Sequence, residues 1–94
     1  MRDIILEEKI EVDEFLEIIE SVGFKTYSKY QVEKALANTM YMVKAIADDK
    51  VVGIGRVVGD YSIVCCLSDI CVRPDYQGKG IGLLIVNKLR SMIE

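Results

Sequence analysis

Ninety-four residues, 51% of them hydrophobic and 29% charged, predict one small globular domain over residues 1–94 and exclude a disordered or fibrous chain. The net charge is −3 and the 12 basic residues are scattered, so the massed Lys and Arg of non-specific nucleic-acid binding are missing. No apolar run approaches the roughly 20 residues of a membrane span; His is absent, and Cys65, Cys66 and Cys71 fit neither zinc spacing nor a disulfide framework.

The chain opens Met-Arg-Asp-Ile-Ile-Leu-Glu-Glu-Lys, with acidic residues too early for a signal peptide. Ile4 to Lys9 predicts a short edge strand. Asp13 offers an N-cap, and Phe15, Leu16, Ile18, Ile19 and Val22 follow at helical spacing, with Glu14, Glu17 and Glu20 on the other face. Gly23 stands where a C-terminal cap belongs. Phe24 to Tyr27 is a connector. Ser28-Lys29-Tyr30-Gln31 is a capping box, and Val32, Ala35 and Leu36 carry a second helix to a stop at Asn38.

Tyr41 to Ala47 and Val51 to Val58 predict strands joined by a tight turn at Asp48-Asp49-Lys50. Gly53 and Gly55 signal a bulge or a close backbone approach in the second of them. Gly59-Asp60 predicts another two-residue turn, followed by a long strand from Tyr61 to Val72. Such short links require antiparallel neighbours, so these three strands form a meander. In regular alternation Cys65 and Cys71 face one side and Cys66 the other, as free, buried, reduced thiols that point to a cytoplasmic location. Pro74 ends the strand, Asp75 to Lys79 form a loop, and Gly80 to Ile93 keep helical spacing through Ile81, Leu84, Ile85, Leu89 and Met92. The order of elements predicts an α+β fold, a mixed α/β layer with helices packed against a sheet.

The chemistry concentrates in Val72-Arg73-Pro74-Asp75-Tyr76-Gln77-Gly78-Lys79-Gly80-Ile81-Gly82. A strand ends, a Gly-rich loop turns and a helix begins. A helix N-terminus carries unpaired N–H groups and positive partial charge, which suit a phosphate. Gly78, Gly80 and Gly82 remove side chains where a ligand approaches the backbone; Lys79 adds a charge, or is simply solvated. Gln77 either donates to a ligand oxygen or holds the loop. A Walker A loop is excluded, because Arg73 occupies its first Gly position and Gly80 follows Lys79. The dinucleotide fingerprint is excluded, because Leu83 sits where its last Gly belongs.

Gln77-Gly78-Lys79-Gly80-Ile81-Gly82 resembles the Q/R-x-x-G-x-G/A signature of the GNAT N-acetyltransferase superfamily. Leu67 to Pro74 is similar to that family's preceding strand, Leu83 to Leu89 to its following helix, and the upstream order of elements agrees. The resemblance implies a GNAT-like fold and acetyl-CoA as co-substrate. It implies that the backbone from Gln77 through Leu83 (Gln77, Gly78, Lys79, Gly80, Ile81, Gly82 and Leu83) holds the coenzyme A pyrophosphate. Ile70, Cys71 and Val72 would pair with the pantetheine arm, and the acetyl group would pass directly to an amine.

Direct transfer needs a proton acceptor near the amine. Asp69 is the candidate base; the competing reading is a carboxylate that caps a loop or bonds backbone. Tyr27 and Tyr30 lie in the connector that lines the acceptor site in the family, or simply pack. Members of the family continue past the long helix with a further parallel strand, a helix and a hairpin, which are not found before Glu94. That predicts a bare edge on the third meander strand, covered by a second copy in a homodimer, the alternative being that the chain is a fragment of a longer gene product. It also keeps open an alternative to the enzyme: a catalytically incomplete CoA-binding module or sensor.

Overall fold

A computed structural model describes residues 3–23, 27–60 and 62–93. The elements are β1 (Ile5–Glu7), α1 (Val12–Ser21), α2 (Lys29–Ala37), β2 (Tyr41–Ala47), β3 (Lys50–Gly59), β4 (Cys65–Val72), a single 3₁₀ turn (Pro74–Tyr76) and α3 (Ile81–Ile93). The four strands form one antiparallel sheet in the order β1-β2-β3-β4. Among the described residues, no helix is long and apolar enough to cross a membrane.

Alternation along the strands divides the core into two layers. Val43, Ala45, Ala47 and Val57 pack with Ile81, Ile85 and Leu89 of α3 on one face. Ile54 and Cys71 pack with Phe15, Ile18 and Ile19 of α1 and Val32 of α2 on the other. Lys44, 8% exposed, sits beneath α1 and is paid for by two bonds to the Glu14 carboxylate, at 2.8 and 3.0 Å. A buried ammonium needs such a partner.

The predicted elements are present, with boundaries corrected by local hydrogen bonding. β1 is three residues rather than six. The cap of α1 is Glu11, not Asp13: the Glu14 carboxylate accepts from the Glu11 N–H at 2.8 Å, so the helix begins two residues earlier. The second capping box holds as read, with Ser28 Oγ accepting from the Gln31 N–H and Gln31 Oε1 from the Ser28 N–H. Asp48 and Asp49 both take positive φ (54° and 62°), the geometry of a two-residue hairpin link. β4 starts at Cys65 rather than Tyr61, which lies outside the described residues. The Asp60 carboxylate accepts from the N–H groups of Ser62, Ile63 and Val64, which folds those residues into a turn. The same three bonds hold its carboxyl below the usual carboxylate range.

Regular alternation is broken twice: Val52 is an extra residue in β3 between the partners of Ala45 and Ile46, and a second extra residue lies in β4. Ile54 opposes Cys71 and Arg56 opposes Ser68, so Gly55 alone faces two residues, Asp69 and Ile70. This is a β-bulge, with Asp69 at φ 55°. An extra residue reverses the parity of everything beyond it. Cys66 therefore shares a face with Cys71, and Cys65 takes the other, the reverse of the pairing expected from strict alternation. Cys71 is buried, whereas Cys65 and Cys66 are exposed and not the core thiols expected.

Gly55 lets this happen. A Cβ there would stand 2.6 Å from Ile85 Cγ2 and 2.7 Å from Ile70 Cδ1, so α3 and the bulge rest directly on bare backbone. Gly55→Ala is expected to lower stability by about 1–3 kcal/mol through overpacking. Gly82→Ala, whose Cβ would meet only Val72 at 3.8 Å, should leave it unchanged or raise it. Chemical denaturation of the two variants measures the contrast; equal stabilities would contradict this packing.

Candidate functional site

Between β4 and α3 the chain is pinned from Arg73 to Gln77 by side-chain and backbone bonds, and its backbone opens only from Gly78 onward. The Arg73 N–H donates to Val52 C=O at 2.8 Å and Arg73 Nε to Val51 C=O at 2.7 Å, while its guanidinium pairs with Glu17 of α1. The Tyr76 ring is buried and its hydroxyl donates to Asp48 Oδ2 at 2.7 Å, tying the loop to the β2–β3 turn. Gln77 Nε2 donates to Val72 C=O at 2.9 Å. This bond is the loop-holding role, one of the two expected for Gln77.

Gly78 and Gly80 have φ of 78° and 83°, and a Cβ on either would meet nothing within 4 Å. Glycine is needed there for backbone conformation, and the space beside it is empty. The first bond of α3 runs from the Leu84 N–H to Gly80 C=O at 3.1 Å. The N–H groups of Ile81, Gly82 and Leu83 precede it and have no intrahelical acceptor. The Ile81 side chain is buried in the core, so only its backbone faces the loop, whereas the Leu83 side chain is exposed. Lys79 places its ammonium 5.5 Å from the Tyr76 ring centre.

Ile70, Cys71 and Val72 end the outermost strand of the sheet, beside the loop. An edge strand presents backbone groups that no neighbouring strand pairs. Burial, and then the nearby Asp69 charge, push the Cys71 thiol up from its ordinary range.

A cleft of about 250 Å³ opens on the α1–α2 side of the bulge, lined by Phe15, Tyr27, Gln31, Val32, Ala35, Arg56 and Asp69. Asp69 Oδ2 accepts from Arg56 Nε at 2.6 Å and from Ser68 Oγ at 3.4 Å; Arg56 Nη1 donates to Thr39 Oγ1 at 3.1 Å. The cleft brings Asp69 and Tyr27 together. Tyr30, 72% exposed, is not among its lining residues. Phe15 and Gln31 were read from the sequence only as helix-face and capping residues, and Arg56 was not singled out; the opposition of Arg56 to Ser68, beside the bulge, is the register that brings Arg56 to Asp69. A larger cleft, about 310 Å³, lies by Glu14, Glu17, Lys50 and Arg73, where Arg73 pairs with Glu17 and Glu14 is taken by Lys44.

The family model of the GNAT acetyltransferases matches residues 6–92. The chain belongs to this family. An uncharacterized N-acetyltransferase ycf52 of Pyropia yezoensis is 29% identical over 84 residues, covering 85% of this chain and 48% of that protein. A ycf52-like uncharacterized N-acetyltransferase of Prochlorococcus marinus is 30% identical over 88 residues, covering 88% of the chain and 49% of its own length. The chain thus spans about half the length of these curated relatives. Among solved structures, a Staphylococcus aureus protein of unknown function described as a probable acetyltransferase superposes with a TM-score of 0.89 at 27% identity, covering 97% of this chain and 69% of that one. An aminoglycoside 6′-N-acetyltransferase complexed with coenzyme A gives a TM-score of 0.79 at 20% identity, over 95% of this chain and 54% of that one, a likeness of fold. The GNAT chain described here therefore has the α+β fold expected of the family.

Proposed function

We propose that this GNAT chain binds acetyl-CoA and transfers the acetyl group to an amine. The observation that carries the reading is the set of N–H groups at Ile81, Gly82 and Leu83, without intrahelical acceptors and opening onto the space beside Gly78 and Gly80. Those groups, with the backbone from Gly78 to Gly80, receive the pyrophosphate; the Gln77 N–H, expected among them, is engaged by Pro74 C=O at 3.3 Å. Gln77 acts indirectly, by holding the loop to Val72. The edge backbone at Ile70, Cys71 and Val72 aligns the pantetheine arm. The presence of coenzyme A in the structurally similar aminoglycoside 6′-N-acetyltransferase supports this choice of ligand.

The acceptor amine enters the cleft by Asp69 and Tyr27, with Tyr30 outside it on the exposed rim. Its nitrogen attacks the thioester carbonyl carbon, the C–S bond breaks, and the sulfur leaves with its electron pair. Asp69 accepts the proton that the amine gives up. One observation favours the second reading, a CoA-binding module without turnover: Asp69 Oδ2 is already engaged by Arg56 and Ser68. The free cysteines fit a reducing, cytoplasmic location. We also propose that a second copy covers the β4 edge at Cys65 to Leu67, next to the exposed Ile63 and Val64, leaving Ile70 to Val72 for the cofactor.

Calorimetry with acetyl-CoA is expected to show binding by the native chain and at least about tenfold weaker binding by Gly80→Glu, which sets an anion beside the pyrophosphate. Equal binding would refute the site; binding with no acetylation across a panel of amines would select the second reading. Light scattering at low concentration should report twice the 10.6 kDa chain mass, and a stable monomer would remove the proposed dimer.

A further inference from the structure

Beside the glycine loop, two lysines from different parts of the chain meet at one aromatic ring. Tyr76 is 8% exposed, packed in the α3 core and held through its hydroxyl by Asp48, so its ring is a fixed platform. Lys79, in the loop, places Nζ 5.5 Å from the ring centre. Lys50, from the start of β3, places Nζ 5.2 Å from the same centre. Both side chains are exposed at this rim. Lys29, Lys44 and Lys88 each lean on a carboxylate, whereas Lys50 and Lys79, like Lys9 and Lys34, form no ion pair among the described residues.

The carboxylate at the ring, Asp48, is engaged by the Tyr76 hydroxyl, and Glu14 and Glu17 of the neighbouring cleft are taken by Lys44 and Arg73. Two ammonium groups outside any ion pair among the described residues therefore stand beside a loop already open to phosphate. Each ammonium is a compact charge with three donors, suited to the oxygens of a phosphate monoester. The same ring orients each cation without neutralising it. The pyrophosphate of coenzyme A is served by the start of α3, and the phosphate that remains on that molecule is its ribose 3′-phosphate. We propose that Lys50 and Lys79, steadied by Tyr76, form the subsite for this 3′-phosphate and make the chain discriminate coenzyme A from dephospho-coenzyme A. The inference rests on the acetyl-CoA reading and assigns a binding role to Lys50, a residue outside the glycine loop.

The test is calorimetry of the native chain, Lys50→Gln, Lys79→Gln and the double variant, each with coenzyme A and with dephospho-coenzyme A. The native chain is expected to prefer coenzyme A by about tenfold or more, most strongly at low salt. Lys50→Gln should weaken coenzyme A about fivefold and leave dephospho-coenzyme A unchanged, and the double variant should lose the preference. Both residues are exposed, so thermal unfolding of the variants should match the native chain and separates loss of subsite from loss of fold. If the native chain binds both ligands equally, or if Lys50→Gln weakens both alike or neither, the subsite is refuted while the acetyl-CoA reading stands. If the native chain binds neither ligand, that reading falls and the subsite with it.

Discussion

The extra residue in β4 decides which chemistry each face of the sheet can hold. Asp69 and Ile70 together oppose Gly55, and the two side chains part company there. Ile70 reaches the α3 side, where Gly55 leaves room for it and for Ile85. Asp69 reaches the α1–α2 side and meets Arg56 at 2.6 Å. The positive φ this requires of Asp69 is uncommon for a residue with a Cβ, though Asp tolerates it better than most. A charged bond on one side and a close-packed helix on the other hold it in place. The bulge is what allows Cys71 in the core and Ser68 beside Arg56 to lie on one face of the same strand.

The loop itself divides labour between side chain and backbone. Arg73, Tyr76 and Gln77 each spend their polar groups on fixed partners in β3, the β2–β3 turn and β4. The glycines and the first turn of α3 spend almost nothing on the protein. Preorganised donors need no rearrangement when an anion arrives, which is what gives a helix terminus its use as a phosphate site. Pinned side chains and open N–H groups are thus two halves of one device.

Most of this was legible in the sequence because the signals are local. The glycine spacing from Gly78 to Gly82, the Pro74 stop and the helical period after Gly80 place the loop and α3 without reference to distant residues. Ser28 and Gln31 likewise announce their own helix. What was not legible depends on contacts between strands. Gly53 and Gly55 signalled irregularity in β3, and β3 does carry an extra residue, Val52, between the partners of Ala45 and Ile46. The second bulge lies in its neighbour β4, and only the register shows it. The cysteine faces failed for that reason. Arg56 reads as one cation in an apolar strand until the bulge brings Asp69 to it. The late start of β4 was hidden because a single carboxylate, Asp60, gathers three backbone donors that strand propensity alone would have put in the ladder.

The central claim is that the open backbone from Gly78 to Leu83 is where the cofactor's phosphates bind. Amide chemical shifts followed by NMR during a titration with coenzyme A test it most directly. The account predicts that the largest shifts fall on the N–H groups of Gly78 to Leu83, with smaller ones at Ile70 to Val72. Shifts centred instead on the cleft between α1 and the β2–β3 turn, or none at saturating coenzyme A, would contradict it.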